Sequence, residues 1–118
     1  MVERIRNLDL TQAGTTIIFT PSFSGGVFFY STDVIVQCTA INGLNNVASI
    51  SIGTNDPLYN NIVAITPLTG LNSINTFIRI PITLCVPVGR DTGIFVNVTS
   101  PSVGTSQIAT IFLEGFYA

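Results

Sequence analysis

Hydrophobic and polar residues alternate along much of the chain, most clearly in the stretch from Ser73 to Val86. The mainly apolar residues at the even positions of this stretch would share one face of an extended strand, because strand side chains alternate between two faces. Pro81 interrupts the pattern, since proline lacks the N–H that a fully paired central strand requires. We therefore predict two consecutive strand segments, bent at Arg79–Pro81, as in a strand that passes from one sheet to another.

Short segments with the same alternation recur along the chain, separated by Gly, Pro and Asn. We expect strands at residues 15–20, 27–31, 33–41, 47–52, 62–66, 94–99 and 107–117. Asn42-Gly43 predicts a hairpin, because both residues tolerate the positive φ of a type I′ turn. The last two segments are expected to pair with each other. No segment keeps the 3.6-residue period of a helix, so the pattern predicts an all-β fold. A jelly-roll-like antiparallel β-sandwich of eight to ten short strands fits best.

Charged residues are few, with four Arg and six Asp or Glu among 118 residues, a net charge of −2 and no His. The mean hydropathy is +0.58. A free monomer normally carries a more charged surface, so we expect much of this surface to lie against copies of the chain or a large partner. Nucleic-acid binding requires a basic patch and is not expected.

No apolar run reaches the roughly 20 residues of a membrane span, so no membrane partner is expected. The first ten residues lack the apolar region of a signal peptide, which favours synthesis in the cytoplasm.

The beginning of the chain concentrates charge. Four of the ten charged residues lie there, namely Glu3, Arg4, Arg6 and Asp9. We predict an N-terminal arm at residues 1–12, followed by a single sandwich domain at residues 13–118. The arm would lie on a neighbouring subunit, with its charges fixing the register. The alternative is a solvated terminal segment.

The last predicted strand, residues 107–117, is largely apolar on both faces. A strand without a polar side is buried on both faces, and in so small a domain this predicts a subunit interface. The residues expected at that interface are Ile111, Phe112, Leu113, Phe116 and Tyr117. The alternative is a central strand in a monomer. Glu114 lies in the same strand and needs a cationic partner, which an Arg of its own or a neighbouring chain would supply.

Candidate catalytic and metal-binding residues are sparse. Without His, the chain has neither a Ser-His-Asp triad nor an imidazole ligand for a metal. The carboxylates are scattered along the sequence, with no motif that would pair them as in a glycosidase. We therefore expect no enzymatic activity and no cofactor.

The turn-rich segment of residues 53–61 is a possible ligand loop, with Asp56, Tyr59 and Asn60 as its candidate residues. The Asn and Asp oxygens of this loop could coordinate a calcium ion, but a calcium site usually needs several carboxylates and this loop has one. We favour a turn in which Asn and Asp side chains bond the backbone.

Cys38 and Cys85 leave two possibilities open. They would form a disulfide between two sheets, or they would remain free as small apolar residues. We favour free thiols, which are the commoner case in a protein made in the cytoplasm.

The six residues Phe112 to Tyr117, FLEGFY, resemble the last strand of trimeric jelly rolls of the tumour-necrosis-factor and C1q type. In those proteins, aromatic residues around a Gly lie near the trimer axis. In its length, its surface rich in Thr, Asn and Gly, its N-terminal arm and its lack of catalytic residues, the chain resembles the decoration (cement) proteins of tailed-bacteriophage capsids.

This resemblance implies a structural viral protein that binds the outside of the capsid as a homotrimer and stabilises the shell. The trimer would contact the major capsid protein at a site present only in the expanded shell, with residues 1–12 as its docking arm. The alternative is a receptor- or glycan-binding head, such as a fibre tip, with an exposed aromatic platform at Tyr59 or Phe23.

Overall fold

In a computed structural model, described for residues 2–23, 25–82 and 86–118, the chain forms eight β-strands in two four-stranded antiparallel sheets. The strands are β1 (Val2–Asp9), β2 (Gly14–Phe19), β3 (Phe29–Asn42), β4 (Ser49–Gly53), β5 (Val63–Pro67), β6 (Phe77–Pro81), β7 (Ile94–Ser100) and β8 (Ser106–Tyr117). No helix occurs among the described residues. The predicted all-β fold and the predicted number of strands are confirmed.

The order of the strands identifies the sandwich as a jelly roll. Sheet A has the order β1-β8-β3-β6, and sheet B has the order β2-β7-β4-β5. The antiparallel pairs include β1 with β8, β2 with β7, β3 with β6 and β4 with β5, so the strand numbers in each pair add up to nine. A chain that doubles back on itself and then wraps into two facing sheets has this topology.

The core lies between the two sheets and is built from alternate residues of the strands. Val34 and Val36 of β3 and Ile111 and Leu113 of β8 face the interior from sheet A and are fully buried. Val96 of β7 is fully buried on the side of sheet B. The predicted period-two burial is therefore observed in the long strands.

Consecutive strands mostly lie in different sheets, which overturns two local predictions. Gly43 has a φ of 62°, as a turn at that position requires. However, β3 belongs to sheet A and β4 to sheet B, so the predicted hairpin at Asn42-Gly43 is wrong. The expected pairing of the last two strands is also wrong, because β7 and β8 lie in different sheets. A turn signal shows where the chain changes direction but does not identify the strand that then lies alongside.

The first part of the stretch from Ser73 to Val86, residues 73–82, forms a shorter strand than its pattern predicts. Within residues 73–82 and 86, Phe77–Pro81 alone forms a strand, β6, at the edge of sheet A, where the missing N–H of proline is tolerated. Ile78, Ile80 and Ile82 pack against the core as expected. Ile74 is exposed, because it lies in a turn before the strand. The predicted second segment falls partly on residues 83–85, which are outside the described residues.

Most of the predicted N-terminal arm forms strand β1. This strand occupies one edge of sheet A and pairs with β8 of the same chain. Residues 2–9 are therefore integrated into the sandwich. Their contact with a neighbouring subunit stays a prediction.

Cys38 lies in the core with a free thiol. Its Sγ donates a weak hydrogen bond to the carbonyl oxygen of Ala40, at 3.7 Å. Burial raises the pKa of the thiol above its usual value, which favours the unreactive protonated form. Cys85 is outside the described residues.

Gly115 supports a specific stability prediction. It lies opposite Ser31 in the β3–β8 ladder, and an added Cβ would overlap the carbonyl oxygen of Tyr30 and the ring of the buried Phe29. We expect Gly115→Ala to lower the free energy of unfolding by about 1–3 kcal/mol, since overpacking forces the backbone or the ring to move. Urea denaturation would measure this loss.

Gly89→Ala is the matched control for that substitution. A Cβ on Gly89 would meet only the Phe28 ring, at an ordinary contact distance of 3.8 Å. We expect a change of no more than about 0.5 kcal/mol. Equal effects of the two substitutions would contradict the close approach at Gly115.

Candidate functional site

The solvent-facing side of sheet A, here called the outer face, is a candidate interaction surface. Directly paired residues of antiparallel strands place their side chains on the same face. One row of paired residues crosses all four strands and consists of Arg4, Phe112, Ile35 and Arg79. Asp33 and Glu114 are paired in the neighbouring row. The outer face thus combines apolar side chains with both signs of charge.

Exposed aromatic residues on β6 and β8 add to the apolar part of the outer face. Phe77 on β6 is 62% exposed, and Phe116 on β8 is 47% exposed. The Phe116 ring stacks on Tyr30 of β3, with ring centroids 5.5 Å apart and planes inclined by 21°. Large apolar side chains that remain exposed on one sheet face are typical of an interaction surface.

An ion pair links β3 to edge strand β6 on the outer face. The Arg79 Nε and Nη2 atoms donate hydrogen bonds to the two carboxylate oxygens of Asp33, at 3.1 and 3.0 Å. These bonds and the charge of Asp33, with a further contribution from the charge of Glu114, raise the pKa of Arg79 above its usual value. Arg79 bonds directly to Asp33, so a cation that pairs directly with Glu114 stays a prediction.

The structure divides the residues predicted for the trimer interface between two environments. Ile111 and Leu113 are fully buried in the core of their own chain. Phe112 and Phe116 lie on the outer face, where a partner would reach them. Tyr117 packs against the buried Phe29, with ring centroids 5.4 Å apart. Both faces of β8 are apolar because one covers the core and the other belongs to the outer face.

The four charged residues predicted for docking are spread along edge strand β1. Arg4 and Arg6 are exposed, while Glu3 and Asp9 are half-buried. The register shifts between Ile5 and Leu8, and Asn7 in this bulge has a φ of 58°. Charges and bulges on an edge strand oppose pairing with strands of other molecules. This structural role would account for the concentration of charge without a docking function.

The possible ligand loop between β4 and β5 is closed by its own side chains. Asn55 Oδ1 accepts hydrogen bonds from the backbone N–H groups of Asn60 and Asn61, at 2.8 and 3.1 Å. Asn61 Oδ1 accepts one from the N–H of Thr54, at 2.8 Å. These bonds occupy oxygens that a calcium ion would require, in agreement with the interpretation as a turn. The described residues contain no cluster of three or more His, Cys, Asp or Glu suited to a metal ion.

The structure brings Asp56, Tyr59 and Asn60 together in this loop, but the Tyr59 ring lies against sheet B. Its centroid is 4.9 Å from that of Phe95 on β7. Partial burial, followed by the charge of Asp56 and a hydrogen bond to it, raises the pKa of Tyr59 above its usual value. The Tyr59 side chain therefore packs against Phe95 and bonds within its own loop.

A groove that the sequence indicated only through Phe23 lies at one end of the sandwich. Two loops enclose it, and its volume is about 340 Å³. It is lined by Phe23, Gly25, Gly26 and Phe28 of the β2–β3 loop and by Gly89 and Arg90 of the β6–β7 loop. A hydrogen bond from the N–H of Asp91 to the carbonyl oxygen of Pro21, at 3.0 Å, joins the two loops.

Comparisons with known proteins relate the chain to a viral structure. No protein-family model matches the sequence, and no curated protein matches it. Among solved structures, the chain is similar to a chain of the cyanophage Pam1 capsid asymmetric unit, with a TM-score of 0.60 and 8% sequence identity. The similarity covers 99% of this chain and 83% of that chain. It shows a shared fold.

Within the described residues, no helix is long and apolar enough to cross a membrane.

We predict that Asn55→Ala opens the loop between β4 and β5. The substitution removes an acceptor for two backbone N–H groups and a donor to Asn60 Oδ1. We expect a loss of about 1–3 kcal/mol in the free energy of unfolding, because partly buried donors lose their acceptor. The measurement is urea denaturation, with Asn72→Ala at an exposed position as the control. An equal stability of both variants would contradict the proposed closure.

We also predict that Asp56→Asn lowers the pKa of Tyr59 toward its ordinary value. The substitution removes the negative charge that disfavours the tyrosinate. In the natural chain, Tyr59 should stay protonated to a higher pH than in the variant. Titration of tyrosinate absorbance, with Tyr59→Phe to assign the signal, would measure the shift. An unchanged or higher pKa in the variant would contradict the role of Asp56.

Proposed function

We propose that the chain is a capsid-associated structural protein without enzymatic activity, and that it decorates the outside of a bacteriophage capsid as a homotrimer. The observation that carries this proposal is the outer face of sheet A, where exposed aromatic residues lie around the Asp33–Arg79 ion pair. Its jelly-roll fold, shared with a chain of a phage capsid asymmetric unit, supports the same class of function.

The outer face suits contact between copies of the chain. Its apolar centre contains Phe112 and Ile35, and Phe116 and Phe77 extend it toward opposite ends. The charges of Asp33 and Arg79 already satisfy each other. A partner would therefore cover this ion pair without separating its two charges, and separating a buried pair is strongly destabilising. We assign this face, rather than the whole of β8, to the subunit interface.

In the proposed mechanism, the trimer binds several copies of the major capsid protein at once. The exposed Arg4 and Arg6, with Glu3 and Asp9, would contribute docking contacts from the edge of each subunit. A site that exists only in the expanded shell would be occupied only in that state. Binding would then stabilise the expanded shell in proportion to the difference in affinity between the two states.

The loop between β4 and β5 gives little support to the alternative of a receptor- or glycan-binding head. Its Asn side chains bond the loop backbone, and the Tyr59 ring packs on Phe95. An aromatic platform for a ligand would need a free ring face beside unpaired polar groups.

The native mass in solution tests the trimer. We expect light scattering on a sizing column to give about three times 12.6 kDa for the natural chain. Phe116→Asp should shift the mass toward that of one chain, because it places a charge in the proposed interface. A monomeric natural chain would overturn the trimer.

The control for Phe116→Asp is Ile65→Asp on β5 of sheet B, where the apolar side chain is 60% exposed. We expect this variant to keep the trimeric mass and the same β-rich circular dichroism spectrum. Loss of the trimer in Ile65→Asp alone would place the interface on sheet B and contradict our assignment.

Sedimentation with capsids tests the capsid role separately. Shells of the virus that encodes this chain would be prepared in the compact and in the expanded form. We expect the chain to sediment with expanded shells and to raise their thermal stability, and to stay in the supernatant with compact ones. No sedimentation with either form would overturn the decoration role, even for a trimeric chain.

A further inference from the structure

We propose that the groove beside Phe23, Phe28 and Arg90 binds a sugar that carries a carboxylate, such as a uronic or sialic acid. The proposal does not depend on the capsid role or on the trimer. It adds a ligand-binding activity at a groove formed by the β2–β3 and β6–β7 loops.

A rigid aromatic platform is the first component of this site. Phe23 is 55% exposed, yet its ring packs on Tyr117, with centroids 5.2 Å apart. Tyr117 in turn contacts the fully buried Phe29, which contacts Phe19 at 4.9 Å. This series of rings connects the exposed Phe23 to the core. A ring fixed in this way offers a stacking surface to the apolar face of a sugar at a low cost in conformational entropy.

A second exposed ring borders the groove. Phe28 is 44% exposed and lines the groove together with Gly89. Its backbone N–H and carbonyl groups are both bonded to Ala118, at 2.8 and 3.0 Å. Phe29, the next residue, exchanges two hydrogen bonds with Val88, each of 2.9 Å. These bonds fix both loops at the base of the groove, so the site is largely formed before a ligand arrives.

Arg90 supplies the charge that selects an acidic sugar. Its Nε atom is 3.9 Å from a carboxylate oxygen of Asp91, and both side chains are exposed. This contact is too long for a hydrogen bond, so the donors of the guanidinium remain available. A ligand carboxylate could receive two parallel hydrogen bonds from them. Asp91 is the neighbouring acidic group that such a ligand would displace.

The dimensions of the groove fit a small ligand. Its volume of about 340 Å³ lies near the lower end of the roughly 300–1,000 Å³ typical of small-molecule sites. Gly25 and Gly26 have φ values of 100° and 78°, and an added Cβ would meet no atom within 4 Å at either position. These glycines leave the groove open beside Phe23. One Arg is also too few for the basic track that a nucleic acid requires.

The test is calorimetric titration of the full chain with trigalacturonate and with its methyl ester, which has the same sugar rings but no free carboxylate. We expect measurable binding of the acid and at least about tenfold weaker binding of the ester, because the ester loses the charged hydrogen bonds. Arg90→Gln should weaken binding of the acid by a similar factor. The same pair of measurements with 3′-sialyllactose and lactose extends the test to sialic acid.

Three further variants make the test specific. Phe23→Ala should weaken binding at least about tenfold, whereas Phe77→Ala, an exposed Phe on sheet A, should leave it unchanged. Asp91→Asn should tighten binding, since it removes the competing carboxylate, and Asn is suited to the φ of 67° at that position. Absence of binding by both acidic sugars, equal binding of acids and neutral forms, or unchanged binding by Phe23→Ala would overturn the proposal. A circular dichroism spectrum that matches the natural chain confirms that each variant is folded.

Discussion

The antiparallel pairing of β3 with β8 determines the arrangement of the rest of the molecule. It extends from Phe29 and Tyr117 at one end to Asn42 and Ser106 at the other, and it forms the centre of sheet A. Strands β1 and β6 each add to one side of this pair. Because side chains alternate along both strands, the same register that directs Val34 and Leu113 inward also directs Asp33 and Phe112 outward. The hydrophobic core and the candidate interface therefore have one structural origin.

Much of this fold follows from period-two patterns, and the remainder depends on information that a local pattern lacks. The alternation in 33–41 correctly predicts that Val34, Val36 and Cys38 face the core. In β8 both faces are apolar, so the pattern alone could not separate the buried Ile111 from the outward Phe112. The partner of each strand was also hidden from local sequence, because a jelly roll joins strands that are far apart in the chain. Asn42-Gly43 marks a real turn, but the strand after it joins the other sheet.

For the candidate sites too, the sequence indicates which residues are unusual but not where the fold places them. The concentration of charge before Asp9 was visible in the sequence, but its place at a sheet edge was not. There, the charges and the bulge at Asn7 protect backbone groups that would otherwise pair with other molecules. At the opposite edge of sheet A, Pro81 and the outward Arg79 have the same protective effect. The groove beside Phe23 was indicated only by one aromatic residue, because its second wall comes from a loop more than sixty residues later in the chain.

The position of β8 between β1 and β3 has a consequence for the synthesis of the protein. The ribosome makes β1 and β3 well before β8, so until β8 has emerged β1 has no partner strand in sheet A and β3 can pair only with β6. During this interval β1 and one edge of the long strand β3 keep unpaired backbone groups that are open to the surrounding solution. Such pairing between distant segments also slows folding, since a large loop must close before any contact forms. The order in which the strands are made thus creates a period in which folding helpers, or a slow rate of aggregation, would decide the yield of this protein.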